Sequence, residues 1–568
     1  MEKDYTDEWR EYQTGLDYLN RINYYNKTDL NWRFYNNDQW FGIKTNGLSK
    51  WTFNICESAI NYFIAFLISQ KIKLQYTAEN IPDESEDPRE LKIKEYTTLL
   101  SDMADMKWEK DKMDSLIKDL LLDGAVSGSM AAHVYWDSSI KTGQDEQGDF
   151  KTELVDSGNV MFGNPNNKSV EKQPYILIVN REVVSDLKKE AKLNGIPQDQ
   201  IEWITSDAEN NYQAGDRGKI ELDNPGDNGK VLTLIKYWKK DGTVYWNKST
   251  RYCAICKERN LGISRYPIAF GNWKSIKNSY IGMSSMDGLV DNQLSINQLF
   301  ALVSYWMRMS AFGKTVYDGS AIDKWSNTIG VAVKADSAGG PISNVVHQLQ
   351  AGNFNEAILT VIKLAIDYTR EFIGANSNLL GSTDPTQASG VAIISTAKQA
   401  AMPLTNQSLS RDQFVEDLGL IWGEFFLKKY NNRKVAIKKN GKVVVVPYDA
   451  NQIKDILLQC SVDVGPSQYW SELAGINALD RLLSEGHITK LQYFERVAKM
   501  NLIPDIQGLI NDAKAELEQV KLQEDKELQF EQMAQFVESL PEEIQMQINQ
   551  LPSNQKEQVI MQMMQQAV

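Results

Sequence analysis

Residues 281–430 carry the pattern that most constrains the fold of this chain. Helical periodicity is followed by a β-rich insert, a second helical stretch, a polar loop and a third helical stretch. The loop ends abruptly at Ser389-Gly390-Val391-Ala392, where small residues let a neighbouring backbone approach closely. Such an arrangement is unexpected in a protein that folds as a single isolated copy. It suits a chain whose helices line a space enclosed by several copies.

A helix, an insert and a second helix open this region. The first helix is expected from Gly282, with Ser284 or Ser285 as its cap, because serine hydroxyls accept from the free amides of a helix start. The insert alternates in short strands such as Lys314–Tyr317, and the second helix covers about 354–373. The sequence therefore predicts two long helices joined by a β-rich connection.

The third helical stretch begins at Ser389. Pro403 must break or kink it, because proline removes a backbone donor and clashes with the preceding turn. A Lys/Arg-rich hairpin over residues 433–446 closes the region. Gly313-Lys314-Thr315 does not predict a phosphate-binding loop, because the glycine needed five residues earlier is Arg308.

Length and charge bound the class of protein. A chain of 568 residues is too long for one compact core and predicts roughly three to five structural regions. Its net charge of −14 repels nucleic acid over the surface as a whole and argues against a sequence-specific DNA-binding protein. The same charge is compatible with a channel through which DNA slides, where tight phosphate contacts would be a hindrance.

The cysteines predict buried free thiols rather than disulfides or a metal site. There are four of them, without dense spacing, so a reducing cytoplasm is the expected place of folding. Cys253 and Cys256 form a lone CxxC motif. A structural zinc site needs two further ligands, and the three histidines (His133, His347 and His487) stand far apart in the sequence.

The stretch from Phe53 to Ile72 is the most membrane-like of the chain. Its apolar run is interrupted by Glu57 and by other polar residues, and it falls short of the ~20 residues that a span needs. A buried helix is expected there. The N-terminus, Met1 to Tyr5, lacks a basic start followed by an apolar run, so no signal peptide is expected.

The order of these elements resembles the portal proteins, or head-to-tail connectors, of tailed bacteriophages. The run from Phe372 to Ile393 is similar to their tunnel loop and the Ser-Gly-x-Ala helix that follows it. Residues 33–40 resemble their Arg-x-Tyr-x-Gly-x-Gln-aromatic turn, with Asn37 in the place of glycine. Asparagine is the next-best residue for a left-handed backbone, so the departure is mild. Residues 483–490 resemble a turn of the portal crown.

The resemblance implies a mixed α+β, predominantly helical chain whose portal-like wing, stem, clip and crown are arranged in a homo-oligomeric ring. The implied regions are a wing (1–280), a first stem helix (281–310), a clip (311–353), a second stem helix (354–374), a tunnel loop (375–388), a long kinked helix and hairpin returning to the wing (389–464), a crown (465–520) and a Gln/Met-rich C-terminal helical tail or barrel (521–568). Whether that tail is an ordered barrel or disordered stays open.

The implied site is a DNA channel, with no catalytic residue, metal or cofactor. The tunnel loop offers weak, exchangeable contacts through polar side chains: Asn376, Ser377, Asn378, Ser382, Thr383 and Gln387. Asp384 is the only charge of the loop and would disfavour tight phosphate binding. Sequence-independent passage needs that weakness. Possible channel charges, which could equally be ordinary helix-surface charges, are Lys363, Arg370 and Lys398. The helix start expected to pack between subunits contains Ser389, Gly390 and Ala392.

The implied function is that of a phage portal protein in DNA packaging, retention and genome ejection. The expected partners are other copies of the chain, about twelve in a ring, double-stranded DNA passing non-specifically, the terminase large subunit, the major capsid protein, the scaffolding protein and the head–tail adaptor. The expected location is the virion, at one capsid vertex, after assembly in the host cytoplasm. No membrane is involved, and the chain is not expected to be an enzyme.

Two alternatives belong to other classes. The first is a different virion structural protein, such as a head–tail adaptor or minor head protein. The second is a carboxylate-metal nuclease or a hydrolase. A hydrolase is poorly supported, because residues 124–128 read Gly-x-x-Ser-Gly rather than the Gly-x-Ser-x-Gly of a nucleophile elbow. Carboxylates are plentiful, so a magnesium site built from them alone stays an open alternative.

Overall fold

The computed structural model confirms a mixed α+β fold in which helical residues outnumber strand residues. The chain divides into two compact units, Met1–Gly465 and Pro466–Val568. The structure describes residues 4–45, 47–70, 72–79, 81, 87–207, 212, 229–311, 314–324, 334–336, 338–349, 357–372, 402–439, 442–453, 456–464, 478–498, 508–515, 517, 523, 533–535, 537, 559–560 and 562.

In its described residues, the first unit combines long helices with five antiparallel sheets of two to five strands. Its described helices are α1 (Asp7–Arg21), α2 (Tyr24–Tyr35), α3 (Ile55–Ile68), α4 (Pro88–Lys110), α5 (Met113–Ser127), α6 (Val184–Leu193), α7 (Gln198–Ile201), α8 (Val290–Ala311), α9 (Ala357–Phe372) and α10 (Thr405–Lys429). Its described strands are β1 (Ile72–Ala78), β2 (Ser129–Asp137), β3 (Asp149–Leu154), β4 (Val160–Phe162), β5 (Tyr175–Val183), β6 (Lys230–Lys240), β7 (Thr243–Ser249), β8 (Ala254–Asn260), β9 (Ile268–Asn272), β10 (Lys314–Tyr317), β11 (Val346–Leu349), β12 (Asn432–Lys439), β13 (Lys442–Asp449) and β14 (Leu458–Val464). The sheet orders are β4-β5-β6-β7-β8, β3-β2-β9, β1-β14, β10-β11 and β12-β13.

The N-terminal region holds two helices where periodicity predicts one helix over residues 7–30. Asn23 has a φ of 56° in the left-handed region and turns the chain between α1 and α2. The expected aromatic turn also starts later than predicted, at Asn36, because the residues before it complete α2. Asn37 has a φ of 65°, which confirms the left-handed backbone predicted for that position.

Helix α3 confirms the buried helix predicted within the Phe53–Ile72 stretch. It contains 14 residues, and Ile60 and Leu67 are fully buried. Within the part of the chain that the structure describes, no helix is both long enough and apolar enough to cross a membrane.

Helices α4 and α5 lie where the sequence predicts a helical stretch over about residues 91–122 with one break. The break expected in the region of Asp102–Asp105 is wrong, because Met103 and Ala104 are buried within a continuous helix. The chain turns instead at Lys112, whose φ is 53°. The polar residues of the Asp102–Asp105 segment indicated a break, but helix propensity is a weak signal that tertiary packing often overrides.

The core of the first unit forms where α10 packs against the β3-β2-β9 sheet. Trp422 on α10 is fully buried, and its Nε1 donates to Thr152 Oγ1 on β3 at 2.9 Å. The centroid of its ring lies 5.5 Å from that of Phe150. Phe425 stacks on Phe150 at the same centroid distance. Aromatic contacts of this kind add to the stabilisation that burial provides.

The strand and loop pattern of residues 137–260 predicts an α+β lobe, and the five-stranded sheet confirms it. Asp241 and Gly242 connect β6 to β7 with φ values of 52° and 75°. Positive φ at both central residues is the geometry of the tight hairpin turn that Asp-Gly predicts. Helix α6 covers part of this sheet and buries Leu187 in a small separate core with Ile255.

Asp123 on α5 gives the stability of the protein a specific pH dependence. Burial, reinforced by the nearby carboxylates of Asp156 and Asp119, raises the pKa of Asp123 to about 7. The unfolded chain loses this proton at about pH 4, whereas the folded protein keeps it up to about pH 7. Proton binding at Asp123 therefore stabilises the folded state fully below about pH 4, and this stabilisation is lost as pH rises through about 7. We expect Asp123→Asn to raise the free energy of unfolding by about 1 kcal/mol or more near pH 8, and by much less near pH 4.

Urea unfolding at both pH values checks this expectation. Asp17→Asn on α1, where the side chain is exposed, is the matched control and should show no such pH dependence. An effect of Asp123→Asn that is equal at the two pH values would contradict the assigned role of burial.

The second unit contains short helices in its described part. Residues 478–484 and 508–515 are helical, and α11 spans Lys490–Ala498. Thr489 caps α11, since the Gln492 amide donates to its hydroxyl at 3.3 Å. The Gln492 side chain in turn accepts from the Thr489 amide at 3.2 Å. This reciprocal pair is a capping box. Most of the predicted tail after residue 520 lies outside the described residues.

Candidate functional site

The predicted helix–insert–helix region forms a distinct part of the first unit, here called the arm: α8, β10, β11 and α9. Helix α8 leads into β10, which pairs antiparallel with β11 from Lys314↔Leu349 to Tyr317↔Val346. Helix α9 then returns and contacts both α8 and α3. The strand predicted at Lys314–Tyr317 is confirmed, and residues 325–333 of the insert lie outside the described residues.

A short 3-10 turn, Met286–Gly288, precedes α8, so the α-helix begins later than Gly282. The predicted serine cap is therefore not at the start of α8: the Ser284 hydroxyl accepts from the Met286 amide at 2.8 Å, at the start of the 3-10 turn. Asp287 in this turn accepts from Asn31 Nδ2 at 3.1 Å and forms an ion pair with Lys27 at 3.1 Å. The base of the arm is therefore bound to α2.

A buried polar network fixes the rotation of α8. Gln293 accepts from the Ile55 amide at 2.9 Å and donates to the Phe53 carbonyl at 2.8 Å. It also donates to Asn297 Oδ1 at 3.0 Å, and Asn297 donates to Gln39 Oε1 at 2.6 Å. Gln293 and Asn297 are buried. A satisfied network of this kind rigidifies its surroundings, because any other rotation of α8 would leave buried polar groups without partners.

Helix α9 has one buried side and one exposed apolar stripe. Ile362 and Thr369, seven residues apart, are 4% and 5% exposed and share a side of the helix. Val361, Leu364 and Tyr368 recur at helical spacing on another side and are 51%, 43% and 55% exposed. These three residues are called the α9 stripe. The first unit by itself leaves the stripe in contact with solvent.

Helix α8 also carries exposed apolar residues opposite its buried polar network. Leu302 and Tyr305, three residues apart, are 54% and 45% exposed and are called the α8 stripe. Near the middle of α8, the ring centroid of Phe300 lies 4.6 Å from that of Phe53, which remains 44% exposed. Soluble monomers seldom expose grouped large apolar side chains, and such groups mark interaction surfaces.

The predicted channel charges on α9 share one side of that helix. Lys363 and Arg370 are both exposed and are seven residues apart, so they lie about 20° from each other around the helix axis. Asp367 falls between them on the same side. This side differs from both the buried side and the α9 stripe. Helix α9 therefore presents three distinct sides: buried, apolar and charged.

The other predicted channel residues lie outside the described residues. These are the tunnel-loop residues Asn376, Ser377, Asn378, Ser382, Thr383, Asp384 and Gln387, the charge Lys398, and the helix-start residues Ser389, Gly390 and Ala392. Pro403 lies in a 3-10 turn, Met402–Leu404, immediately before α10 begins at Thr405.

The serines around residues 124–129 and the nearby His133 have structural hydrogen-bond partners. Ser129 donates to Asn272 Oδ1 at 2.8 Å, and Ser127 accepts from Trp32 Nε1 at 2.9 Å. His133 is buried 2.8 Å from the Tyr237 hydroxyl, and burial lowers the pKa of His133 to about 4.

The cysteines of the CxxC motif are buried free thiols, as predicted. Burial raises the pKa of Cys253 to about 11, so this side chain is a thiol at neutral pH. Among the described residues, no three or more His, Cys, Asp or Glu side chains are grouped as metal ligands would be. No known protein family matches the chain, and no curated protein matches it in sequence.

The two stripes could not be located from the sequence, because periodicity places Leu302 and Val361 on apolar faces of their helices without showing which members of a face are exposed. A signal was present, because apolar residues on α9 extend around more of the helix than one buried side requires.

Proposed function

We propose that this chain is the portal protein of a tailed bacteriophage, a closed ring of about twelve copies at one capsid vertex. Double-stranded DNA would pass through the ring during packaging and ejection. The observation that carries the proposal is the pair of exposed apolar stripes on the two helices of the arm. The order of elements, with a two-stranded antiparallel sheet between two long helices, supports it further.

Two separate stripes suit a head-to-tail contact. In a cyclic ring each copy uses one surface toward the preceding copy and a different surface toward the next. The α8 stripe and the α9 stripe are such a pair of surfaces. Burying one large apolar side chain stabilises an interface by about 1.5–3 kcal/mol, and each contact between neighbouring copies would bury several.

The charged side of α9 suits the wall of a DNA channel. Repeated around a ring, Lys363 and Arg370 would form two layers of positive charge, moderated by Asp367. Contacts between such side chains and phosphates carry no sequence information. Their strength falls with salt concentration, and weak contacts of this kind allow DNA to slide. The chain makes and breaks no covalent bond in this mechanism.

The remaining partners follow from the family resemblance and are part of the proposal. The terminase large subunit, and later the head–tail adaptor, would bind to the clip (residues 311–353). Val316 and Tyr317 of β10 are exposed in this region. The scaffolding protein and the major capsid protein would contact the outer surface of the ring.

Partial deletion of the 375–388 loop tests the proposed channel function separately from assembly. We expect the shortened protein to form rings, because the arm supplies the subunit contacts. DNA packaging or retention should be impaired, because the loop is proposed to narrow the channel. Native mass and a packaging assay measure the two properties independently. Loss of folding on deletion would indicate that the loop belongs to the core.

Electron microscopy of the purified chain, combined with its native mass, tests the proposed ring directly. We expect rings of about twelve copies with a central channel. A closed dimer or tetramer without a channel would contradict the proposal. So would a protein that remains at 64.6 kDa both alone and together with scaffolding protein.

A further inference from the structure

The two-stranded ribbon β12–β13 has one covered edge and one open edge. On the β12 side, the Gln144 side chain takes the place of a strand. The Lys434 amide donates to Gln144 Oε1 at 2.6 Å, and Gln144 Nε2 donates to the Lys434 carbonyl at 2.9 Å. On the β13 side, no strand of the described residues pairs with the ribbon. An open edge strand is a template for pairing with another chain.

The pairing pattern tells which way the backbone groups of β13 point. Lys434 directs its amide and carbonyl toward Gln144, so it exchanges no ladder hydrogen bonds with Pro447 opposite. The Ala450 amide donates to the Asn431 carbonyl at 3.0 Å, which fixes the same alternation from the end of the ribbon. Hydrogen-bonded and non-hydrogen-bonded pairs alternate along an antiparallel ladder. The backbone groups of Val443 and Val445 therefore point outward, together with the Pro447 carbonyl.

This outer edge is accessible and suited to main-chain pairing. Val443 and Val445 are 63% and 62% exposed. Their amides and carbonyls have no hydrogen-bond partner among the described residues outside the ribbon. Pro447 occupies the third outward position, where its missing N–H costs no ladder bond. Proline is thus already accommodated at a position equivalent to that of Val445.

Basic side chains lie beside the exposed valines. Lys438 is paired with Val443 in the ribbon, and Lys434 with Pro447, so both lysines lie on the same face as the outward valines. Lys438 forms an exposed ion pair with Glu109 at 3.1 Å. Neighbouring strands lie about 4.8 Å apart, so a strand added beside β13 would lie about 10 Å from the lysine row. Lysine and glutamate side chains together span that gap.

We propose that the outer edge of β13 binds an extended acidic segment of another polypeptide, which adds to the ribbon as a third strand. The main chain of this segment pairs with Val443 and Val445, and its carboxylates approach Lys434 and Lys438 on the lysine face. Its alternate apolar side chains lie on the other face, beside Val444 and Val446. Strand addition of this kind takes its affinity from main-chain hydrogen bonds and its specificity from alternate side chains. Double-stranded DNA fits this edge poorly, since the outward carbonyls would face phosphates.

Fluorescence anisotropy with the full-length protein tests the proposal. The probe is a labelled peptide of about eight residues, an ordinary strand length, in which valine and glutamate alternate. Val445→Pro removes an outward amide and should weaken binding about tenfold. Val445→Thr keeps the amide and the β-branched shape, and should change the affinity by less than about twofold. Equal binding to the two variants would overturn the proposal, as would equal binding of a valine–lysine peptide to the unaltered protein.

Hydrogen–deuterium exchange on the unaltered protein gives a second test that does not depend on how the proline variant folds. The valine–glutamate peptide should slow exchange at the Val443 and Val445 amides but not at Val444 and Val446, whose amides are already in the ladder. Unchanged exchange at Val443 and Val445 would overturn the proposal. Protection of the same amides by a DNA duplex instead of the peptide would also overturn it, as would protection by increasing protein concentration alone, which would identify a second copy as the occupant.

Discussion

Leu364→Glu is expected to convert the proposed ring into subunits of 64.6 kDa. Leu364 stands in the middle of the α9 stripe, between Val361 and Tyr368. Where that stripe packs against a neighbouring copy, the substitution removes about 1.5–3 kcal/mol of apolar burial per interface and places an unpaired carboxylate there. Every interface of a cyclic ring carries the same change, so the effect on assembly is multiplied. Native mass measured at equal protein concentrations gives the result.

Leu359→Glu is the matched control on the same helix. Leu359 is 50% exposed, close to the 43% of Leu364, but it lies about 140° away around the helix axis, toward the side of Lys363. We expect this variant to form rings. Both variants should retain the helical circular dichroism of the unaltered protein, because both positions are exposed. If Leu364→Glu still forms rings, the α9 stripe is not part of the interface between copies. If both variants dissociate, the effect of a glutamate on α9 is not specific to the stripe.

Elements with strong local signals could be predicted from the sequence. The apolar run of α3, the alternating strands of the five-stranded sheet and the Asp241-Gly242 turn each have a period or a turn residue that specifies one structure. The hairpin after α10 likewise spans Asn432–Asp449, where a Lys/Arg-rich hairpin is predicted. In these places local preference and tertiary packing agree.

Breaks between helices were predicted less well. The chain turns at Asn23 and at Lys112, both with left-handed backbones, and neither is a glycine or a proline. Lysine has no special preference for that conformation, so its place in a turn depends on the packing of the flanking helices. Local sequence could not have shown it. Asn23 gives a weak signal, because asparagine tolerates positive φ better than most residues.

The arm shows why periodicity does not determine which apolar residues become buried. Helical periodicity places Val361 and Ile362 in one apolar stripe, yet Val361 is 51% exposed and Ile362 is 4% exposed. Adjacent residues lie about 100° apart on a helix, so only the position of α8 and α3 decides which of the two is covered. Gln293 and Asn297 offered a better signal: two amides spaced i, i+4 among apolar residues indicate a buried polar contact.

Arg411→Ala is expected to lower the free energy of unfolding by about 3–5 kcal/mol, because it removes the cation from a buried ionic site. Arg411 lies on α10 and is 1% exposed. Its guanidinium donates to the Leu67 carbonyl in the last turn of α3, to Gln70 Oε1 at 2.7 Å and to Asp412 Oδ1 at 2.7 and 2.8 Å. The last carbonyls of a helix have no partner within it and carry partial negative charge. Arg411 therefore caps α3 from another helix.

Two further variants show whether the stabilisation by Arg411 comes from its charge alone or also from its burial and its planar geometry. Arg411→Lys keeps the charge but cannot reproduce the planar fork that serves three acceptors, so we expect about half the loss seen with alanine. Arg10→Ala is the exposed control. Arg10 pairs with the carboxylates of Asp4 and Asp7, and its side chain is 54% exposed. Exposed ion pairs contribute about 0–1 kcal/mol, so this control should unfold nearly as the unaltered protein does. Urea unfolding measured by tryptophan fluorescence ranks the variants. If Arg411→Ala lowers the free energy of unfolding no more than Arg10→Ala does, water can replace Arg411 as the hydrogen-bond donor to the last carbonyls of α3. The contact between α3 and α10 would then depend on apolar packing alone.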